Sequence, residues 1–122
     1  MYIPADAWLR AFLLTVAVEL PVAYWLLRGR DPAGPRLAAV IVFASLLTHP
    51  AVWFVFPQFF YLSTPEYLLA AEAWAVLVEA AFYWTVVRDV RPGRALGVSI
   101  AANVASFLVG LVVTTVWPAA FF

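Results

Sequence analysis

Glu72 and Glu79 stand seven residues apart in an apolar run that extends from Pro65 to Arg88. Seven residues are close to two helical turns, so both acids fall on one face of a helix. At about 100° per residue that face also takes in Leu68, Leu69, Ala75, Val76, Phe82 and Tyr83, an apolar stripe with two acids and a phenol. The run is about 22 residues, enough to cross a bilayer. An ionisable side chain at bilayer depth is costly, about 2.5 to 3.5 kcal/mol for Asp, Lys or Arg on the insertion scale, so acids kept there require a role. Glu19, His49, Asn103 and Ser106 lie inside three further apolar runs and complete the chemistry-bearing set. These residue types suit holding a proton or a small cation.

The elements that must position them are four predicted membrane spans, about 7–27, 37–56, 66–87 and 95–117, each near 20 residues. The fold class is an all-α integral membrane protein, a single four-helix domain over 1–122 built as two tandem hairpins. The connections 28–36 and 88–94 each carry three Arg among helix breakers, which places them on the cytoplasmic side of a cell membrane. The middle connection, 57–65, has no charge and several aromatics, which suits an outer interface, and both termini then face outward. Trp8, Trp53, Tyr61, Tyr67 and Trp117 fall near the outer boundary, and Tyr24, Trp25, Tyr83 and Trp84 near the inner one; anchoring accounts for most of the aromatic content. The start, Met1 to Asp6, lacks a basic segment before the first apolar run, so that run is expected to persist as a span rather than be cleaved.

Composition agrees with this class. Of 122 residues, 66% are hydrophobic and 11% charged, against roughly half and a quarter in soluble domains. Net charge is zero, and no basic cluster with interleaved aromatics occurs, so an electrostatic case for nucleic acid is absent. Without cysteine, thiolate chemistry, Cys-type zinc sites and CxxC redox motifs are excluded.

The two hairpins, 1–57 and 62–122, read as diverged copies. Val16-Ala-Val-Glu19 answers Val76-Leu-Val-Glu79, Tyr24-Trp25 answers Tyr83-Trp84, and Ala44-Ser45-Leu-Leu47 answers Ala105-Ser106-Phe-Leu108. Both copies run out, in, out. The repeat is therefore parallel, with a pseudo-two-fold axis along the membrane normal.

Counting depth at about 1.5 Å per residue puts Glu19 some 3 Å inward of the midplane, with Glu79 and Asn103 at a similar level. The pseudo-symmetry is expected to set Glu19 across the axis from Glu79, where two carboxylates would share one proton or hold one cation. No Arg or Lys lies inside a span as counter-ion, so neutral Glu, or one charge shared, is the expected resting state. His49 and Glu72 fall about 3 and 6 Å outward and form a second layer, close enough to pair if their helices adjoin. Tyr83 and Ser106 are the remaining second-layer candidates.

Each feature also has a plainer reading. Ser99, Asn103, Ser106, Gly110 and Thr114 make a small and polar seam that serves helix packing or lines a pore. Ala11, Thr15, Glu19 and Ala23 make a similar seam on the first span. Pro21 and Pro50 are kinks, or free carbonyls for a cation. His49 is a neutral hydrogen-bonded side chain, or a ligand to a metal or pigment, or a proton relay. The sequence requires no cofactor. It has no phosphate loop, no nucleophile in a recognisable setting and no HExxH, so it leans away from an enzyme. Two readings stay open: a proton- or cation-binding transport or channel-like component, or a non-catalytic structural or accessory subunit of a larger membrane complex. The second includes a pigment-, quinone- or haem-associated form that would use His49 with Trp53 and Phe54. Both readings have the lipid bilayer as a partner, and a homo-oligomer or a membrane complex as the assembly.

Overall fold

The computed structural model describes residues 5–29, 34–61 and 64–120. Parts of the connections 28–36 and 57–65, and residues 1–4 and 121–122, lie outside the described residues. The described chain is all-helical. Four helices, α1 (Ala5–Leu27), α2 (Gly34–Pro50), α3 (Pro65–Val86) and α4 (Pro92–Val116), are joined by short irregular segments. α2 continues through a π-helical turn, Ala51–Val55, and a 3-10 turn, Phe56–Gln58. Counted with those turns, all four are long and apolar enough to cross a membrane, the architecture of a multi-pass membrane protein. The expected spans match to within three residues at every described boundary.

Local chemistry sets the helix ends. Thr64 caps α3, its hydroxyl accepting from the Tyr67 N–H (3.3 Å), while Pro65 occupies the first turn and Glu66 complements the helix dipole there. α4 likewise opens with Pro92 after an extended Arg91. Between α1 and α2, Gly29 adopts φ +82°, a left-handed turn that glycine enters without steric cost. The corresponding turn between α3 and α4 uses Asp89 at φ +58°, one of the few other residues that tolerate this region.

Pro21 lies inside α1 on an exposed position, and the helix runs through it. Pro50 has a larger effect. The helix widens into the π-turn immediately after it, and the Phe56 N–H then reaches Ala51 O, five residues back. In that register the carbonyl of Val52 would look to residue 57, which is proline and has no N–H. The Tyr67 hydroxyl on α3 donates to Val52 O instead (2.9 Å).

α1 packs against α2 and α4, and α3 packs against the same two helices, so the four form a ring with α1 opposite α3. The two halves of this ring differ. Toward the Arg-bearing connections it is a dry core: Ala23, Leu27, Leu37, Ile41, Ala44, Tyr83, Ala95, Val98 and Ala102 are all at most 2% exposed. Toward the other end it opens into a cavity.

Large apolar side chains such as Leu13, Phe43, Leu77, Val112 and Val116 point outward. A lipid surface solvates them at no cost.

Candidate functional site

Glu19 and Glu79 sit where the dry core meets the cavity, and both are almost completely buried at 1% exposure. Each is held by donors from both neighbouring helices. Ser45 Oγ on α2 donates to Glu19 Oε2 (3.0 Å), and Ser106 Oγ on α4 donates to Oε1 (2.8 Å). For Glu79, Thr48 Oγ1 on α2 donates to Oε1 (3.0 Å) and Asn103 Nδ2 on α4 to Oε2 (2.6 Å). All four oxygens are therefore satisfied, as buried carboxyl groups require.

Glu79 and Asn103, placed at one level by the sequence, are hydrogen-bonded to each other. The expected direct partnership of the two acids is not present among the described residues. Each oxygen is taken by a different donor, and no hydrogen bond joins one carboxyl group to the other. They are linked through neighbours one turn apart, Ser45 with Thr48 on α2 and Asn103 with Ser106 on α4.

Three of the donors have further contacts. Ser106 Oγ lies 3.1 Å from Asn103 O, and Thr48 Oγ1 lies 3.2 Å from Ser45 O and 3.4 Å from Ala44 O. Asn103 Nδ2 also donates to Ser99 O (2.8 Å), while Ser99 Oγ donates across to Val76 O on α3 (2.7 Å). The polar seam of α4 is thus divided: its Ser99 end packs α4 onto α3, and its Gly110 and Thr114 end lines the cavity.

The cavity, open on one side, has a volume of about 370 Å³ among all four helices. Glu19, Glu79, Asn103 and Ser106 close one end, and Thr15, His49, Trp53, Tyr67, Glu72 and Phe107 line its sides. His49 and Glu72 therefore share a space, but they do not pair. His49 Nε2 is in hydrogen-bond contact with Thr15 Oγ1 on α1 (3.3 Å), and Nδ1 is buried without a partner. The imidazole is packed among rings, with centroids of Phe12, Trp53 and Trp8 at 5.6, 6.3 and 6.4 Å. Glu72 makes no hydrogen bond among the described residues. Among the described residues, no three His, Asp or Glu side chains converge in a metal-binding arrangement.

Tyr83 is placed differently from the expectation of a second-layer ligand. It is fully buried in the dry core, and its hydroxyl has no partner. Tyr24, aligned with it in the sequence, is 37% exposed on the outer surface of the ring. Nor do Ser45 and Ser106 take equivalent places, since both bond Glu19. The sequence reading missed Ser45 and Thr48 as ligands of the two acids, and Thr15 as the partner of His49. A polar pair at i and i+3, Ser45 and Thr48, in an apolar stretch of α2 was the available signal.

Chemically the site is a pair of separately clamped carboxyl groups beneath a cavity that holds a third acid and an imidazole. Comparison with protein-family models, with curated proteins and with solved structures finds no match, so the functional reading rests on this geometry.

Proposed function

We propose that this chain is a proton- or cation-binding membrane protein, a transport or channel-like component, whose binding layer is Glu19, Glu79 and Asn103 with Ser106 and Thr48. One observation carries the reading. Each acid has one donor that can reverse. Ser106 can turn its hydroxyl from Glu19 to Asn103 O, and Thr48 can turn from Glu79 to Ser45 O. A hydroxyl that donates to a carbonyl is free to accept from a protonated carboxyl group. Either acid can then gain or lose a proton by rotation of one hydroxyl, with no helix movement.

A parallel internal repeat underlies the arrangement. Its support is a set of matched bonds. Glu19 takes Ser45 from its own hairpin and Ser106 from the other; Glu79 takes Asn103 from its own and Thr48 from the other. At the far end, Arg94 donates to Leu26 O (3.0 Å) and Arg36 to Val86 O (3.4 Å). Buried Leu37, Val40, Ile41, Ala44 and Ser45 recur as Ala95, Val98, Ser99, Ala102 and Asn103. The matching register is a constant shift of 58 positions in α2 and α4, with Glu19 on Glu79 in α1 and α3. We further assign the Arg-bearing connections to the cytoplasmic side of the cell membrane and both termini to the outside.

The same bonds favour a second reading, in which the acids only brace three helices each within a homo-oligomer or a larger membrane complex. Infrared difference spectra between about pH 5 and 9 separate the two. Proton binding is expected to give a carboxyl band that changes with pH and is lost in Glu19→Gln or Glu79→Gln, both of which keep the fold. Bracing alone gives no pH-dependent band. Carboxylates ionised throughout, with no bound cation, would overturn the proton reading.

A further inference from the structure

The cavity holds polar groups that the clamped acids do not use. Glu72 has no hydrogen-bond partner among the described residues, and His49 keeps a buried, unpaired Nδ1. The hairpins differ at these two positions: in the matched register Glu72 answers Phe12, and His49 answers Phe107. The matched acids Glu19 and Glu79 are satisfied internally, whereas Glu72 and His49 Nδ1 are not.

We propose that the cavity binds a hydrophobic organic monocation, an ammonium group carried on an aromatic or branched apolar body, with Glu72 as its counter-ion. The walls set the class. No Arg lines the cavity among the described residues, so an anion has no partner there. Among the described residues no three acidic or imidazole groups converge around Glu72 as a metal site requires. Trp53, Tyr67 and Phe107 line the cavity with aromatic side chains, which suit an ammonium group and its apolar substituents. A space of about 370 Å³ is within the roughly 300 to 1,000 Å³ of small-molecule pockets. Glu19 and Glu79 lie at the closed end, so a bound cation and their protons occupy one electrostatic compartment. This deepens the cation-binding reading above by naming the class of cation and a third acid.

The test uses the full chain in lipid nanodiscs and equilibrium dialysis, with empty nanodiscs as the blank. Benzyltrimethylammonium is the probe, and neopentylbenzene, its uncharged isostere, is the control. The cation is expected to bind saturably and the isostere only to partition into lipid. Glu72→Gln should weaken the cation by about tenfold or more, as for removal of a desolvated charge partner. Trp53→Leu should weaken it about two- to fivefold. Saturable binding of the isostere as tight as that of the cation, or an unchanged affinity in Glu72→Gln, would overturn the proposal and leave the cavity as apolar space filled by lipid. If Glu72→Gln fails to fold by circular dichroism and gel filtration, Trp53→Leu and the wild-type comparison of cation with isostere decide. The infrared bands of Glu19 and Glu79 are read separately, so either assignment can fail while the other stands.

Discussion

Asn103 ties one acid to the bundle, because its amide joins Glu79 to the backbone of its own helix at Ser99. Asn103→Ala removes a donor from a buried acid and leaves one carboxyl oxygen unsatisfied. A stability loss of about 1 to 3 kcal/mol is expected, read from thermal or denaturant unfolding in micelles. Tyr83 gives the opposite expectation. Its hydroxyl is buried without a partner, so Tyr83→Phe removes a desolvated polar group while keeping the ring that fills the core. Stability should be unchanged or higher, and a loss above about 1 kcal/mol would mean that the hydroxyl does useful bonding. Both acids were legible as special from their letters alone, since Glu is expensive in an apolar span. Their ligands were not, because a Ser or Thr within an apolar helix costs little and so gives no comparable signal.

The segment from Pro50 to Gln58 shows how two prolines shape an element. Pro50 precedes the widened turn, and Pro57 deprives the Val52 carbonyl of a main-chain donor. Tyr67 fills the gap from α3 and so ties the two helices together beside the cavity. Tyr67→Phe leaves that carbonyl unpaired and should cost about 1 to 3 kcal/mol. Faster amide hydrogen exchange across Ala51–Val55 than in the adjoining turns of α2 would locate the effect. Unaltered exchange there, with unaltered stability, would show that water replaces the phenol. The sequence marked Pro50 as a kink or a source of free carbonyls; that Pro57 leaves the Val52 carbonyl to Tyr67 depends on the π-register, which no local pattern announces.

Taken whole, the ring is sealed at the Arg-bearing end and hollow at the other, with the two acids at the boundary. Solvent access should follow that division. Gly110→Cys, where an added Cβ meets nothing within 4 Å, and Ala75→Cys line the cavity and should react with a small water-soluble thiol reagent. Ala23→Cys and Ala102→Cys lie at positions with 0% exposure and should be protected. Equal labelling of all four would mean that the sealed half opens. The same chemistry tests orientation: Tyr61→Cys should label from outside intact cells and Gly93→Cys should not, and the reverse would sink the assigned topology.

The number of apolar helices long enough to span a membrane, and the presence of ionisable groups within them, were determined by the sequence itself. These follow from bilayer thickness and the cost of charge in hydrocarbon, both of which act residue by residue along one chain. Which donor meets which acid was decided only by tertiary structure. Ser45 and Ser106 both donate to Glu19, while Thr48 and Asn103, one turn away on the same two helices, donate to Glu79; a hydropathy pattern does not distinguish these donors. The fate of His49 was settled in the same way. Depth alone allowed it to pair with Glu72, yet the packing of α1 against α2 delivers Thr15 to the imidazole and leaves Glu72 facing the cavity. Helix rotation and register are fixed by side-chain packing between elements, and a single sequence without its neighbours in space does not contain that information in readable form.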